Sequence, residues 1–323
     1  MFLLAVLCLA AGCRQDGFSL HETDTLNSLH QVDDWPLYVM HYRGAYAQDA
    51  ASDAGAALAT EAEAPWACSL FAALGDPSNV VYGRSFDWEH SPAVLLFAAP
   101  PNGYASVSMV DIAYLGFAGQ RAQGLDERPL DERAPLLRAP YLPFDGMNER
   151  GLAIGMAAVG PGNVPDDPDK ATIGSLAVMR EVLDHAADVD EALAILDRYN
   201  IDYGGGPPLH YLVADRSGRA ILVEYDQGER IVRDNEGPWH LATNFIVSSV
   251  QTPQGHCPRY DRLERRLSEA QGTLPSEQAM EVLADVAQAN TQWSITYHLN
   301  SGQVQVAMGR NYEQVHTFKL RVR

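Results

Sequence analysis

Short apolar runs, separated by turn-forming residues, recur along most of the chain and predict β-strands. Two of them, CSLFAAL (68–74) and VVYGRSF (80–86), flank the turn signal GDPSN and predict a β-hairpin. LHYLVADRSGRAILVEY (209–225) and WSITYHLNSGQVQVAMG (293–309) predict two more hairpins. The other predicted strands lie at PLYVMHY (36–42), near 93–98, 104–110, 151–157 and 229–234, at LATNF (241–245) and at VHTFKLR (315–321).

Apolar residues at helical spacing predict two pairs of helices between these strands. The predicted helices lie at roughly 174–186, roughly 189–199, RYDRLERRLSEA (259–270) and SEQAMEVLADVAQA (276–289). We expect Asp188 or Asp190 to cap the second helix and Ser276 to open the fourth.

The order of elements is strands, helices, strands, helices, strands. Consecutive hairpins indicate antiparallel sheets, and paired helices indicate outer layers. The sequence therefore predicts an α+β fold, a four-layer α-β-β-α sandwich of two antiparallel sheets flanked by helices. The predicted domains are a targeting segment (1–13), a pro-segment or small subunit (14–67) with an acidic, Ala-rich linker at 48–64, and a main domain (68–323).

The N-terminal stretch MFLLAVLCLAAGCRQD is typical of an export signal. Its LAAGC resembles a bacterial lipobox, which implies that Cys13 is lipidated and anchors the chain to a membrane. We therefore expect an exported bacterial envelope protein, either periplasmic or an outer-face lipoprotein. Plain secretion and an uncleaved anchor are the alternatives.

Composition and spacing narrow the function classes. The net charge of −19 over 323 residues opposes binding to nucleic acid. No histidine or cysteine cluster has metal-ligand spacing, so we expect neither a metal nor a cofactor. YGGGPP (203–208) lacks the Lys-Ser/Thr of a phosphate loop and predicts a flexible turn. The stretch 125–140 predicts a solvated loop or short helix, with a substrate lid as the alternative.

Cys68 is the main candidate for chemistry. A thiol attacks only as thiolate and needs a base. Cutting the Ala67–Cys68 bond would free an α-amino group, whose pKa of about 7.7–8.0 suits a base near neutrality. The predicted hairpin returns Arg84 and Asp87 beside Cys68, where Arg84 would favour the thiolate and Asp87 would hold the new ammonium. Spacing alone favours an ordinary hairpin with a surface ion pair over a catalytic site.

Several motifs, in order over about 68–323, resemble the choloylglycine hydrolase and penicillin V acylase group of N-terminal-nucleophile (Ntn) hydrolases. Cys68 followed by the GRSFD of Arg84 and Asp87 resembles the group's nucleophile and its G-R-x-x-D. DGMNERGLAIGM (145–156), the 209–225 hairpin with its Val-Glu, LATNF and CPRYDRLERR resemble further family motifs. The resemblance implies that Asn244 lies in the oxyanion hole and Arg259 in the active site.

The chain departs from the bile-salt branch at three places. Ala158 stands where that branch has a second Asn. The long insertion between the Asn244 and Arg259 motifs, which is associated with tetramers, is absent. A long segment precedes Cys68, as in the acid ceramidase-like branch, whose pro-segment is cut autocatalytically and stays bound. The chain therefore resembles the acid ceramidase-like or the isopenicillin-N acyltransferase-like branch more than the bile-salt branch.

The resemblance implies an autoprocessed cysteine amidohydrolase that cleaves a linear amide in small N-acyl substrates through a thioester. An acyltransferase that uses the same thioester is the nearest alternative. A non-catalytic envelope binding protein on the same fold is another. The third is a Cys–His hydrolase that uses Cys257, which follows His256, or Cys68 with a distant histidine. His185, His210, His240 and His298 are expected to be structural or pocket residues.

Overall fold

The computed structural model describes residues 17–46, 67–89, 92–160 and 164–323. Two β-sheets of these residues lie face to face, and helices cover both outer faces. The predicted α+β sandwich of four layers is therefore confirmed. The targeting segment, Cys13 and the acidic linker lie outside the described residues.

The larger sheet has nine strands in the described part of the chain. In spatial order they are β1 (His30–Asp33), β2 (Leu37–Arg43), β5 (Ala93–Ala99), β6 (Ser106–Asp111), β7 (Asp145–Asn148), β8 (Leu152–Ala158), β11 (Leu209–Asp215), β12 (Ala220–Asp226) and β13 (Glu229–Asp234). Neighbours run antiparallel except β2 and β5, which are parallel. A parallel pair needs a long connection, and here that connection runs through the opposite sheet.

The smaller sheet has six described strands, all antiparallel. In spatial order they are β14 (Trp239–Ala242), β3 (Ala67–Ala73), β4 (Val81–Asp87), β15 (Thr291–His298), β16 (Gln303–Met308) and β17 (Val315–Lys319). A separate parallel pair consists of β9 (Ala171–Gly174) and β10 (Tyr199–Asp202).

The helices pack on the two outer faces. They are α1 (Leu20–Asn27), α2 (Leu130–Arg133), α3 (Ala177–His185), α4 (Val189–Asp197), α5 (Pro258–Glu269) and α6 (Ser276–Val286). α3 and α4 cover the larger sheet, and α5 and α6 cover the smaller one. None of the helices in the described ranges is long and apolar enough to cross a bilayer.

Most predicted elements are confirmed, with shifted ends. The three hairpins form, and Asp188 rather than Asp190 caps α4, accepting a hydrogen bond from the Glu191 N–H. The predicted LATNF strand ends at Ala242, so Asn244 lies beyond it. The short strands β1, β7, β9 and β10 have four residues each, too few for a periodic signal.

The expectation of a mostly solvated stretch at 125–140 is wrong for its second half. α2 and a 3₁₀ helix (Ala134–Tyr141) form there, and Leu136 and Leu137 are buried. The Arg133 guanidinium is also buried and donates to the Leu26 carbonyl of α1 at 2.9 Å. The charged residues of this stretch therefore alternate with residues that pack into the core.

The N-terminal segment 17–46 is an integral part of the larger sheet. Ser19 and Glu22 form a capping box at the start of α1, which packs on β2. Leu37, Tyr38 and Met40 of β2 are fully buried, because that strand is covered on both faces. The predicted strand at PLYVMHY is thus confirmed, and it lies in the sheet opposite Cys68.

The larger sheet lies close to the smaller one at Gly155 of β8. A Cβ at Gly155 of β8 would lie 2.7 Å from the Tyr82 hydroxyl oxygen of β4 and 3.0 Å from Leu70 Cδ2 of β3. The Tyr82 hydroxyl in turn donates to the Leu212 carbonyl of the larger sheet at 3.0 Å.

We predict that Gly155→Ala destabilises the protein by about 1–3 kcal/mol, because the added methyl group must push the two sheets apart. Gly174→Ala is the matched control, since its Cβ would meet nothing closer than Ala177 Cβ at 3.9 Å. Urea unfolding measures both variants, and equal midpoints for them would contradict this account of the sheet contact.

Candidate active site

The β3–β4 hairpin brings three predicted site residues together. The turn predicted at 75–79 forms, and the register sets Cys68 opposite Phe86, Leu70 opposite Arg84 and Ala67 opposite Asp87. Because alternate side chains of a strand point to opposite faces, Cys68 and Arg84 share the face that looks towards the larger sheet.

Arg84 is a buried cation that contacts the thiol. Its Nη2 donates to Cys68 Sγ at 3.4 Å, and its Nη1 lies 2.7 Å from Asp145 Oδ2. The Arg84 and Asp145 side chains have no exposed surface. The guanidinium also packs over the rings of Phe86 and Trp293, with centroids 4.9 and 5.8 Å away. These contacts fix the guanidinium at the sulfur.

Asp145 is a site residue that the sequence analysis did not single out. Besides Arg84, its carboxylate accepts hydrogen bonds from the Tyr297 hydroxyl at 2.5 Å and from Trp293 Nε1 at 3.5 Å. The available signal was an acidic residue within the apolar run YLPFDGM, since a carboxylate buried in a strand needs a partner.

Asn244 and Arg259, which the resemblance pointed to, both contact the Cys68 backbone. Asn244 Oδ1 accepts from the Cys68 N–H at 2.8 Å and from Arg259 Nη2 at 2.8 Å. Arg259 Nη1 donates to the Cys68 carbonyl and to Ser69 Oγ. Asn244 Nδ2 donates to the Ala158 carbonyl at 2.7 Å. The backbone at Ala158, where the bile-salt branch has an Asn, thus orients Asn244.

Asp87 closes the site beside Ala67. Its Oδ1 accepts from Thr291 Oγ1 at 2.5 Å, while its buried Oδ2 has no hydrogen-bond partner among the residues that the structure describes. Arg259 Nη1 is 3.9 Å from that oxygen. Burial raises the pKa of Asp87, although Thr291, Arg259 and Arg84 oppose the shift. The free oxygen is a ready acceptor for an additional donor.

The Cys68 thiol is fully buried in the chain that is intact at Ala67–Cys68. Burial raises its pKa, and Asp87 adds to the rise, whereas Arg84 and Arg259 lower it. The predicted effect of Arg84 thus has the right direction but does not outweigh burial. No histidine within the described ranges hydrogen-bonds to Cys68, so these residues offer the thiol no imidazole base in the uncut chain.

The alternative at Cys257 has no histidine hydrogen-bonded to its thiol among the described residues. Cys257 directly precedes α5, and the ring of its neighbour His256 stacks on Phe245 with centroids 5.6 Å apart. Stacking on Phe245 holds the imidazole in aromatic packing.

Three other histidines of the described chain form hydrogen bonds that connect parts of the fold. His210 Nδ1 lies 3.2 Å from Glu224 Oε1, His240 Nε2 lies 3.0 Å from the Arg233 carbonyl, and His298 Nδ1 lies 3.1 Å from Asn79 Oδ1. Residues 17–46, 67–89, 92–160 and 164–323 contain no group of three or more His, Cys, Asp or Glu side chains that could hold a metal ion. YGGGPP forms the predicted turn.

Comparisons with known proteins give a family and a fold for the chain. Residues 68–244, more than half of the chain, match the family described as linear amide C–N hydrolases, choloylglycine hydrolase family. A mutant of conjugated bile acid hydrolase from Clostridium perfringens superposes with a TM-score of 0.57 at 17% identity, over 78% of this chain and 92% of that one. Penicillin V acylase from Agrobacterium tumefaciens gives 0.53 at 19% identity, over 78% and 86%. The two structures share the Ntn hydrolase fold with this chain.

We predict that Asp145→Asn destabilises the fold by about 3–5 kcal/mol, because it leaves the Arg84 charge buried without its counter-ion. Asp190→Asn is the control, since it removes a carboxylate that is 76% exposed from the surface pair with Arg219. Urea unfolding compares the two. An Asp145→Asn midpoint as close to wild type as that of Asp190→Asn would contradict the structural role of the buried pair.

Proposed function

The chain belongs to the choloylglycine hydrolase family of linear amide C–N hydrolases, and from this premise we propose that Cys68 is a nucleophile released by cutting the Ala67–Cys68 bond. The enzyme is a hydrolase of linear amides, and its substrate is a small acyl amide. In the proposed mature form the Cys68 thiol attacks and the freed α-amino group of the same residue serves as base.

The observation that carries the proposal is the pair of polar groups around the Cys68 nitrogen. Asn244 Oδ1 accepts the single N–H of that amide, and the buried Oδ2 of Asp87, on the residue opposite Ala67, has no hydrogen-bond partner in the described chain, with Arg259 Nη1 3.9 Å away. A buried carboxylate oxygen without a donor is costly. An α-ammonium at Cys68 would supply further N–H donors and a compensating charge, so the site suits the cut form better than the uncut one.

The proposed maturation needs no outside catalyst. The Cys68 sulfur attacks the Ala67 carbonyl carbon, the Ala67–Cys68 C–N bond breaks, and a thioester forms while the nitrogen takes up a proton. Water then attacks the thioester carbon, the C–S bond breaks, and Ala67 leaves as a carboxylate. The thiol is regenerated, and Cys68 becomes an N-terminal residue.

Turnover follows the same bond changes on a substrate amide. The Cys68 thiolate, stabilised by Arg84, attacks the carbonyl carbon and forms a tetrahedral oxyanion, which Asn244 and a backbone N–H stabilise. The α-ammonium protonates the leaving amine as the C–N bond breaks. Water, deprotonated by the α-amine, hydrolyses the thioester and releases the acid. Asp87 holds the ammonium, and Arg259 orients Asn244.

The proposed substrates have an apolar acyl group. Phe86 pairs with Cys68 across the hairpin, and its ring packs with those of Phe144 and Trp293, with centroids 4.3 to 6.2 Å apart, so an aromatic cluster lies next to the strand that carries the thiol. N-acyl amino acids, acyl-homoserine lactones, phenoxyacetyl-type penicillins and lipid amides share this chemistry. Adding amine acceptors to the assay distinguishes hydrolysis from acyl transfer.

We also propose that the segment before the cut stays bound as a small subunit. Its β2 strand is hydrogen-bonded to β5 along seven residue pairs, and its buried side chains belong to the core. If Cys13 is lipidated, the lipid would remain on this small fragment. The catalytic part would then be held at the bacterial envelope through the sheet and not through a covalent bond.

The cut is tested by replacing its nucleophile. Cys68→Ala is expected to give a single full-length band on a denaturing gel, whereas wild type gives two fragments, because only the thiol can start the acyl shift. Cys257→Ala, the matched control at the other described cysteine, is expected to be cut like wild type and to keep full amidase activity. Cleavage of the Ala67–Cys68 bond in Cys68→Ala, or activity of uncut wild type, would contradict the proposal.

Retention of the small fragment has its own readout. Size-exclusion chromatography of the cut protein without denaturant is expected to elute both fragments in one peak, which urea resolves into two. The two fragments are expected to separate only on unfolding, because removal of β2 from the folded protein would expose the buried face of β5. Two peaks under native conditions, with the larger fragment still active, would contradict the retained subunit.

A further inference from the structure

Glu224 is a buried acid that the mechanism so far does not use. It lies on β12 with no exposed surface, in the space between the two sheets, and its carboxylate accepts three hydrogen bonds. Oε1 accepts from the Val247 N–H at 2.7 Å, and Oε2 accepts from the Ser248 N–H at 2.8 Å. His210 Nδ1, on the adjacent strand β11, is 3.2 Å from Oε1.

These donors keep the carboxylate charged. Burial would raise the pKa of Glu224, but the hydrogen bonds from His210, Ser248 and Val247 hold it below its ordinary value. A charged group buried between two sheets is costly unless such partners compensate it. An apolar residue would fill the same space without that cost, so the presence of a buried carboxylate here needs an explanation other than packing.

The reason lies in the segment that these contacts hold. Ala242 is the last residue of β14, and a 3₁₀ helix (Val247–Ser249) follows after four intervening residues. Asn244 lies between these two points. One end of the segment is therefore fixed by the edge of the smaller sheet, and the other end is fixed by Glu224 of the larger sheet.

The same part of the larger sheet also holds the Asn244 amide. Asn244 Nδ2 donates to the Ala158 carbonyl of β8, and Ala158 pairs with Leu209, the residue before His210. The side-chain amide is thus tied to β8 and the backbone that follows it to β12, the two strands that flank β11 in one sheet, while Cys68 lies on the other sheet.

We propose that Glu224, oriented by His210, is a positioning residue for the oxyanion hole, which sets Asn244 against Cys68 by anchoring Val247 and Ser248. This inference rests on the proposed role of Asn244. Glu224 contacts neither the thiol nor Asn244, so its effect on the reaction must pass through the 243–248 segment. A misplaced oxyanion donor costs rate in the transition state more than substrate binding.

The test is a double-mutant cycle between Glu224→Gln and Asn244→Ala, assayed on a small acyl amide and normalised to the Cys68 thiol titrated with iodoacetamide. Gln is isosteric, but its NH₂ would face one of the backbone N–H donors. We expect Glu224→Gln to lower kcat by roughly 10- to 100-fold with KM little changed. Asn244→Ala should lower kcat by roughly 10²–10³-fold.

The cycle distinguishes positioning from general stability. If Glu224 acts through Asn244, the double variant has the kcat of Asn244→Ala alone. The control is Asp215→Asn on β11, a buried carboxylate that also accepts two backbone N–H bonds, from Val189 and Ser217, at the end of the strand away from Asn244. It is expected to lower the unfolding midpoint while kcat stays near wild type.

If the losses in kcat multiply in the double variant of Glu224→Gln and Asn244→Ala, the inference is wrong. It is also wrong if Glu224→Gln leaves kcat unchanged. Either result leaves the proposed function standing. Full kcat in Asn244→Ala, with Cys68→Ala inactive, would remove the oxyanion role of Asn244 and this inference with it, while the nucleophile remains. An active Cys68→Ala would overturn the proposed function itself.

A backbone variant covers the case in which Glu224→Gln does not fold. Val247→Pro removes the N–H that donates a hydrogen bond to Glu224. Val247 is the first residue of a 3₁₀ helix, a position where proline fits. The preceding Ile246 is extended, with φ −73° and ψ 107°, as a residue before proline must be. Val247→Ala keeps the N–H and loses a similar part of the side chain. A lower kcat in Val247→Pro than in Val247→Ala supports the inference, and equal values overturn it.

Discussion

The guanidinium of Arg84 and the carboxylate of Asp145 are buried together between the two sheets, and neither charge would be stable there alone. Their pairing spans the sandwich, because Arg84 is on β4 of the smaller sheet and Asp145 is on β7 of the larger one. The Cys68 sulfur lies 3.4 Å from this cation. The fold therefore places a fixed positive charge at the thiol before any bond is cut.

The second constraint concerns the other side of Cys68. Asn244 accepts the Cys68 N–H and donates to Ala158, so it links Cys68 on one sheet to the backbone of the other. Arg259 reinforces this link through Asn244 Oδ1 and the Cys68 carbonyl. Because Cys68 is on the smaller sheet and Asn244 is held by contacts to the larger one, their relative position depends on how the sheets are held together, which gives Glu224 its proposed importance.

The sequence predicted the sandwich, because hairpins and paired helices leave strong periodic signals, and it predicted Cys68, Arg84 and Asp87 as one cluster, because a tight turn fixes their register. Asn244 and Arg259 came only from the resemblance, since nothing local to residues 244–259 points to Cys68. The contacts of Asp145 and Glu224 could not be predicted from the sequence, because their partners are distant in the chain. A buried carboxylate acquires its meaning from tertiary packing, which spacing along one strand does not reveal.

The central claim is that the amide nitrogen of Cys68 becomes a free amino group in the working enzyme. The most direct measurement is intact mass and N-terminal sequencing of purified, active protein, with iodoacetamide labelling of the same sample. The account predicts a large fragment that begins at Cys68, carries the label on that residue and loses activity in step with labelling. Active protein whose only N-terminus lies before Ala67, or a processed N-terminus at any other residue, would contradict it.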